Sequence, residues 1–268
     1  MKHYFILAVL SFIFCSCNQN AKHPQADLIK QSSATAMDEK AIVTYADSIN
    51  RVTNTFDKRT SLMFEGKDGN FYIEEFSRFG KPILYIEYLV RSTGTMQSKR
   101  HYYLKNDSLL LIAELKSLNS PGSFKLINSR HYFRNNTLFK TETREATDKN
   151  ALNKVSFEPV KLEKGGESQS EKVRMLSHAM NRNEQFDLVF ERLEDLGMHK
   201  RISLKSNINS TYTASVLVMQ SDELTDSLES MPGLFKDKPL KIRWKIVNGE
   251  AIYLPQTASM TSASGLKR

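Results

Sequence analysis

The residues with the chemistry to do work are few and scattered. Histidine occurs at His3, His23, His101, His131, His178 and His199, and no two form an HxH, HExxH or i,i+4 pair. A metal site would therefore have to be assembled from distant positions, and no metal or other cofactor is expected. Both cysteines, Cys15 and Cys17, lie at the N-terminus. That removes a thiolate zinc site, a disulfide framework and a cysteine nucleophile from the body of the chain. No GxSxG elbow, Walker-type loop or GxGxxG turn is present. Glu74 and Glu75 are adjacent, so on a strand they point to opposite faces and cannot act as a pair. A carboxylate pair drawn from separate strands, as glycosidases use, stays open. The expectation is a protein that is not an enzyme.

Three other patterns suit binding. Leu240 to Val247 alternates, with Leu240, Ile242, Trp244 and Ile246 on one side and Lys241, Arg243 and Lys245 on the other. Preceded by Lys236 and Lys238, this basic row is the candidate anion-binding face. Trp244 points away from it, so there is no aromatic to stack a base and no nucleic-acid partner is expected. The plainer reading is a solvated row of charges that protects a strand edge. Tyr72, Phe76, Tyr85, Tyr88, Tyr102, Tyr103, Tyr132 and Phe133 form a dense aromatic set. Alternation divides it between two sheet faces, one beneath a helix and the other either core or an exposed surface for sugar or peptide. His101 and His131 occupy equivalent places in an internal echo, HYYLKNDSL and HYFRNNTL, 30 residues apart with one residue of slip.

The elements that must carry these residues follow from periodicity. After Asp38, a natural N-cap, Ile42, Tyr45, Ala46, Ile49, Val52, Thr53 and Phe56 recur at helical spacing, predicting an amphipathic helix of about five turns. From Ser61 to Glu145 short apolar runs alternate with turn signals at Lys67–Asn70, Phe79–Pro82, Asn106-Asp107, Asn119–Gly122 and Asn135-Asn136, which describes an antiparallel meander. Residues 146–170 are polar and mark a boundary. Glu171 to Leu196 carries a helical apolar stripe broken near Asn181–Asn183, with Gly197 as a C′ residue. Strands return after Arg201, a short helix falls over Ser221–Ser230, and Asn248-Gly249 closes a hairpin.

The expected fold is α+β: an N-terminal helix on an antiparallel β-meander (38–150), a linker and helical connector (151–199), and a small β-barrel-like, OB-like domain (200–256). Residues 257–268 form a frayed tail. A chain that is 40% hydrophobic and 25% charged is neither disordered, collagenous nor a multi-span membrane protein.

Residues 1–17 read MKHYFILAVLSFIFCSC: a basic start, then an apolar run from Tyr4 to Phe14. Eleven residues span about 16 Å as a helix, too short to cross a bilayer. The layout is that of a secretory signal, and Ser16-Cys17 resembles the cleavage site of bacterial lipoproteins. That resemblance implies removal of 1–16, lipidation of Cys17, and a polar tether over 17–37. It covers only these first residues, and Phe14 and Cys15 depart from the commoner pattern. Two acyl chains suffice for stable anchoring. Removing Lys2 lowers the count to 37 − 30 = +7 from the full chain's +8. Asp47-Ser48-Ile49, Asp107-Ser108-Leu109 and Asp226-Ser227-Leu228 resemble the short acceptor for O-glycosylation of exported proteins in some gram-negative phyla. The expectation is an envelope lipoprotein, lipid-anchored on the outer membrane and facing the periplasm, with an envelope protein as a partner. It would act as a non-catalytic binding or assembly module. The alternatives are a carrier of a lipid or other hydrophobic ligand in a cavity of the sheet, and an envelope hydrolase.

Overall fold

The computed structural model describes residues 37–66, 69–90, 96–120, 123–161, 169–208 and 211–256. The expected signal segment, Cys17, all but the last residue of the expected tether, and the expected tail lie outside the described residues. Among those described, no helix is long and apolar enough to cross a membrane.

Helix α1 (Glu39–Arg51) starts where the sequence places it, with the Asp38 carboxylate accepting from the Ala41 amide at 2.8 Å. It ends earlier than its stripe suggests. The Thr53 and Thr55 hydroxyls donate to the Ile49 and Val52 carbonyls, and the chain passes through a single 3-10 turn into a strand.

That strand is β1 (Asp57–Thr60). It is followed by β2 (Phe64–Gly66), β3 (Gly69–Arg78), β4 (Lys81–Val90), β5 (Met96–Lys105), β6 (Ser108–Ser120), β7 (Ser123–Arg134) and β8 (Thr137–Ala146). Each of β3 to β8 pairs antiparallel with the next. Three of the connections have both central residues at positive φ: Phe79-Gly80, Asn106-Asp107 and Asn135-Asn136. This is type I′ geometry, whose twist matches the flanking strands and which Asn and Gly adopt most readily.

Both faces of the meander are covered. On one, Ile42, Ala46 and Ile49 of α1 pack on Phe76, Leu84, Ile86, Tyr103, Leu111 and Tyr132. On the other, Ile73, Tyr85, Tyr102, Ile112 and Phe133 join a larger cluster. The rest of the chain forms α2 (Lys149–Lys154), β9 (Glu158–Val160), α3 (Gln169–Asn181), β10 (Leu188–Asp195), β11 (Lys200–Ser206), β12 (Thr213–Val218), α4 (Glu223–Ser230), β13 (Arg243–Val247) and β14 (Glu250–Leu254), and all of these except α2 and β9 contribute residues to that larger cluster or pack against it.

Two expectations are corrected here. Residues 188–195, read as the end of a helical connector, form β10. Leu188, Val189 and Phe190 are consecutive and all buried, and a strand packed on both sides accommodates three such residues better than one helix face. The barrel-like arrangement over 200–256 does not form. One edge of β12 takes β11; the other is shared between β2, at Thr213↔Glu65 and Ala214↔Phe64, and a single parallel bridge to β14 at Leu217↔Ile252. The strands therefore continue the meander in one open, mostly antiparallel sheet in the order β10-β11-β12-β2-β3-β4-β5-β6-β7-β8-β9. Aromatics fill the β12–β2 seam: Phe186 lies 4.9 Å from Phe64 and 4.8 Å from Tyr212, centroid to centroid. A Cβ on Gly66 would come within 2.9 Å of the Tyr212 ring, which explains the residue there.

Candidate functional site

Register decides which side chains meet. Glu87 on β4 pairs with Arg100 on β5, and Arg100 with Glu114 on β6, so the three lie in one row on one face. Tyr102, Ile112 and His131 form the row beside it. Helix α3 lies over this face and sends Lys172 down to Glu87, Nζ to Oε1 at 2.7 Å. The result is a cleft of about 320 Å³ with a charged rim and an apolar floor of Ile112, Phe133 and Leu138.

Its charges are matched. Arg100 donates to Glu114 at 2.8 Å and, more weakly, to Glu87 at 3.5 Å. The Tyr102 hydroxyl donates to Glu87 at 2.7 Å and the Ser98 hydroxyl to Glu114 at 2.6 Å. Burial by itself would raise the Glu114 carboxyl, but the Ser98 hydrogen bond and the Arg100 guanidinium outweigh it and hold the group below its ordinary value. His131 shares a 3.0 Å hydrogen bond with Thr141, and burial pushes its imidazole down, so it is neutral near pH 7. In the ion pairs the cation is the outer member: Arg100 and Lys172 side chains are 35% and 28% exposed, against 8% for Glu87 and 16% for Glu114.

The structure separates other residues that the sequence set side by side. His101 pairs with Ile86 and Ala113 on the α1 face, while His131 pairs with Ile112 and Thr141 on the α3 face. The one-residue slip in the echo puts Tyr132, not His131, in the row of Tyr103, and a slip of one inverts every side chain. His101 borders a smaller hollow of about 220 Å³ beneath α1, together with Asp47, Asn50 and Arg130. Glu74 and Glu75 diverge as expected: Glu74 takes Lys58 and the Tyr88 hydroxyl, and Glu75 takes a forked pair from Arg59.

The aromatic set divides between the faces. Phe76, Tyr103 and Tyr132 lie under α1, and Tyr85, Tyr102 and Phe133 under α3. Tyr72 and Tyr88 stack on each other at 4.5 Å, half-buried, with Lys99 over the Tyr88 ring. Lys241, Arg243 and Lys245 are exposed, Arg243 and Lys245 on β13, which among the described residues pairs only with β14, and Lys241 just before it; Arg243 donates to the Pro255 carbonyl. Trp244 turns inward and donates to the Ser61 carbonyl at 2.9 Å. Ser48 and Ser227 sit inside α1 and α4 with their hydroxyls on the Tyr45 and Glu223 carbonyls, and Ser108 opens β6. Cys17 falls outside the described residues. Among the described residues no group of three metal-ligating side chains converges.

Sequence reasoning did not single out the cleft. Its signal was there: Glu87 is the one charge within ILYIEYLV, an acid that a strand buried on both faces tolerates only beside a cation.

Compared with known protein families, with curated proteins and with solved structures, the chain matches none.

Proposed function

We propose that this protein is a lipid-anchored module of the cell envelope, held to the outer membrane through Cys17 and facing the periplasm, that binds rather than transforms its ligand. In the finer description it is an α+β module, with α1 and α3 on opposite faces of one sheet. The observation that carries the binding role is the cleft beneath α3. It is large enough for a small molecule, and every carboxylate in it is already neutralised. A general acid near neutral pH needs a raised carboxyl, and Glu114 is held down. That weighs against the hydrolase reading. Against a carrier of hydrophobic ligands weighs the filling of both sheet faces by large side chains, with Tyr102, Tyr132, Phe133 and Leu84 each 1% exposed.

The anchor rests on the resemblance at Ser16-Cys17, and the test addresses it directly. The full chain, expressed with its own N-terminus in a gram-negative host, is expected to sediment with membranes and to begin at an acylated Cys17. Cys17→Ser is expected to move it to the soluble fraction, and Cys15→Ser to leave it in place. A mature chain that lacks residue 17, or carries it unacylated, overturns the anchor.

A further inference from the structure

We infer that the cleft beneath α3 is a binding site for a neutral saccharide of about one ring, with its hydroxyls on the Arg100–Glu114 pair and the Lys172 ammonium and its C–H face on the apolar floor. This deepens the binding role proposed above and rests on it.

Two cations, Arg100 and Lys172, bond two carboxylates, Glu87 and Glu114, so the bonded array sums to zero, with Lys116 farther along β6 adding a positive charge near Glu114. A charged ligand would gain one partner and meet a like charge beside it, after losing its own hydration. A neutral ligand incurs neither cost. It still needs donors and acceptors side by side, and the rim provides them. Glu114 uses only Oε1 for its bonds to Ser98 and Arg100, which leaves Oε2 to accept. Arg100 commits Nε and Nη1 and keeps further N–H groups. Lys172 uses one bond to Glu87 and has three donors. Neighbouring hydroxyls on a sugar ring each donate and accept, and they are spaced much like the donor and acceptor of an ion pair. The pairs also lock the rim in place before the ligand arrives, which lowers the ordering cost of binding. Beneath the rim the half-buried Leu138 offers an apolar contact for a ring's C–H face, with the buried Ile112 and Phe133 packed behind it. A volume of about 320 Å³ stands at the small end of ligand sites.

The test uses the full mature chain carrying Cys17→Ser, so that no detergent is present. Saturation-transfer NMR and calorimetry are run against neutral probes (glucose, galactose, mannose, N-acetylglucosamine and their disaccharides). Glucuronate and inorganic phosphate are run in parallel as anionic probes. At least one neutral saccharide is expected to bind, with an affinity unchanged by added salt. Glu114→Gln is expected to weaken it about tenfold or more, the loss of one charge-assisted hydrogen bond. Lys172→Met, on the helix side of the cleft, is expected to weaken it as well, and carries the test if the Glu114 variant misfolds. Lys40→Gln, on the exposed side of α1 across the sheet, is expected to have no effect. Binding of the anionic probes alone, falling with salt, overturns the saccharide assignment and leaves a binding module in place. Binding of none of the probes by a folded protein, or saccharide binding untouched by both cleft variants, overturns it too.

Discussion

His101 makes the fold acid-sensitive in a narrow window, and the size of the effect can be worked out. The ring lies on the α1-covered face in the row Glu74, Ile86, His101, Ala113, Arg130, Glu142, with Lys99 along its own strand and Asp47 above it on α1. Burial, reinforced by the Lys99 ammonium, pushes its pKa down from 6.5 to about 4. In the unfolded chain the ring takes up a proton as pH falls through 6.5, whereas the folded protein resists until about 4. Stability from this group is therefore complete above pH 6.5 and declines as pH falls toward 4. With those two values, moving from pH 7 to pH 5 costs about 2 kcal/mol. For a chain of this size that lowers the melting temperature by roughly 4–8 °C. Urea unfolding of wild type and His101→Gln at pH 7 and pH 5 isolates the term, because the baseline cost of the substitution cancels within each protein. His131 is also pushed down, but it is present in both proteins and drops out of the comparison. Glu114, Glu142, Asp222 and Asp237 are held below their ordinary values and do not titrate in this window. Wild type is expected to lose about 2 kcal/mol more than the variant. Equal losses, or a ring proton of His101 titrating near 6.5 by NMR, would refute the reasoning.

Two further outcomes follow from the packing on either face. Ile42 is 1% exposed and sits at the centre of the α1 contact, so Ile42→Ala is expected to cost about 3 kcal/mol in urea, while the exposed Lys40→Ala changes stability by less than about 0.5. Glu87→Gln removes the anion that ties Lys172 and Tyr102 together; a loss of about 2 kcal/mol is expected, softened because Lys172 and Arg100 reach solvent, and the amides of α3 should exchange faster in the variant than in the wild type.

The meander was legible because its turns are written in residue types with a conformational reason behind them. Asn106-Asp107 and Asn135-Asn136 each place two residues at positive φ, and few side chains tolerate that. Asp38 and the Ile42, Ala46, Ile49 stripe likewise located α1. Residues 188–195 were not legible, since LVFERLED offers both a helical stripe and a buried strand, and only the neighbouring β11 decides between them. The open sheet was hidden for the same kind of reason. The joining of β12 to β2 rests on two residue pairs nearly 150 positions apart, Thr213↔Glu65 and Ala214↔Phe64, and no local pattern announces them. The cleft needed still more, because Glu87, Arg100 and Glu114 are each unremarkable in their strands. They become a row only once two registers are known, and a slip of one residue in either would have scattered them across the two faces.

The same registers bear on what the net charge of +8 means. On the β1–β8 sheet and α3, Glu74, Glu75, Glu87, Glu114 and Glu142 have side chains only 4% to 16% exposed, and each lies beneath a Lys or Arg that is 28% to 51% exposed. Counted by what solvent touches, these faces look basic. Counted by field, they are a set of close dipoles, because each cation has its counter-charge within 4 Å, and the potential of such a pair dies away faster than that of a lone charge. A polyanion gains little from them, whereas a ligand that reads hydrogen-bond direction at contact range gains a good deal. Lys241 and Lys245 are the contrasting case, with no ion-pair partner among the described residues. Lys245 stands on β13, which among the described residues pairs only with β14, and Lys241 lies two residues before that strand. A lone charge there disfavours a second strand that would otherwise add to the sheet.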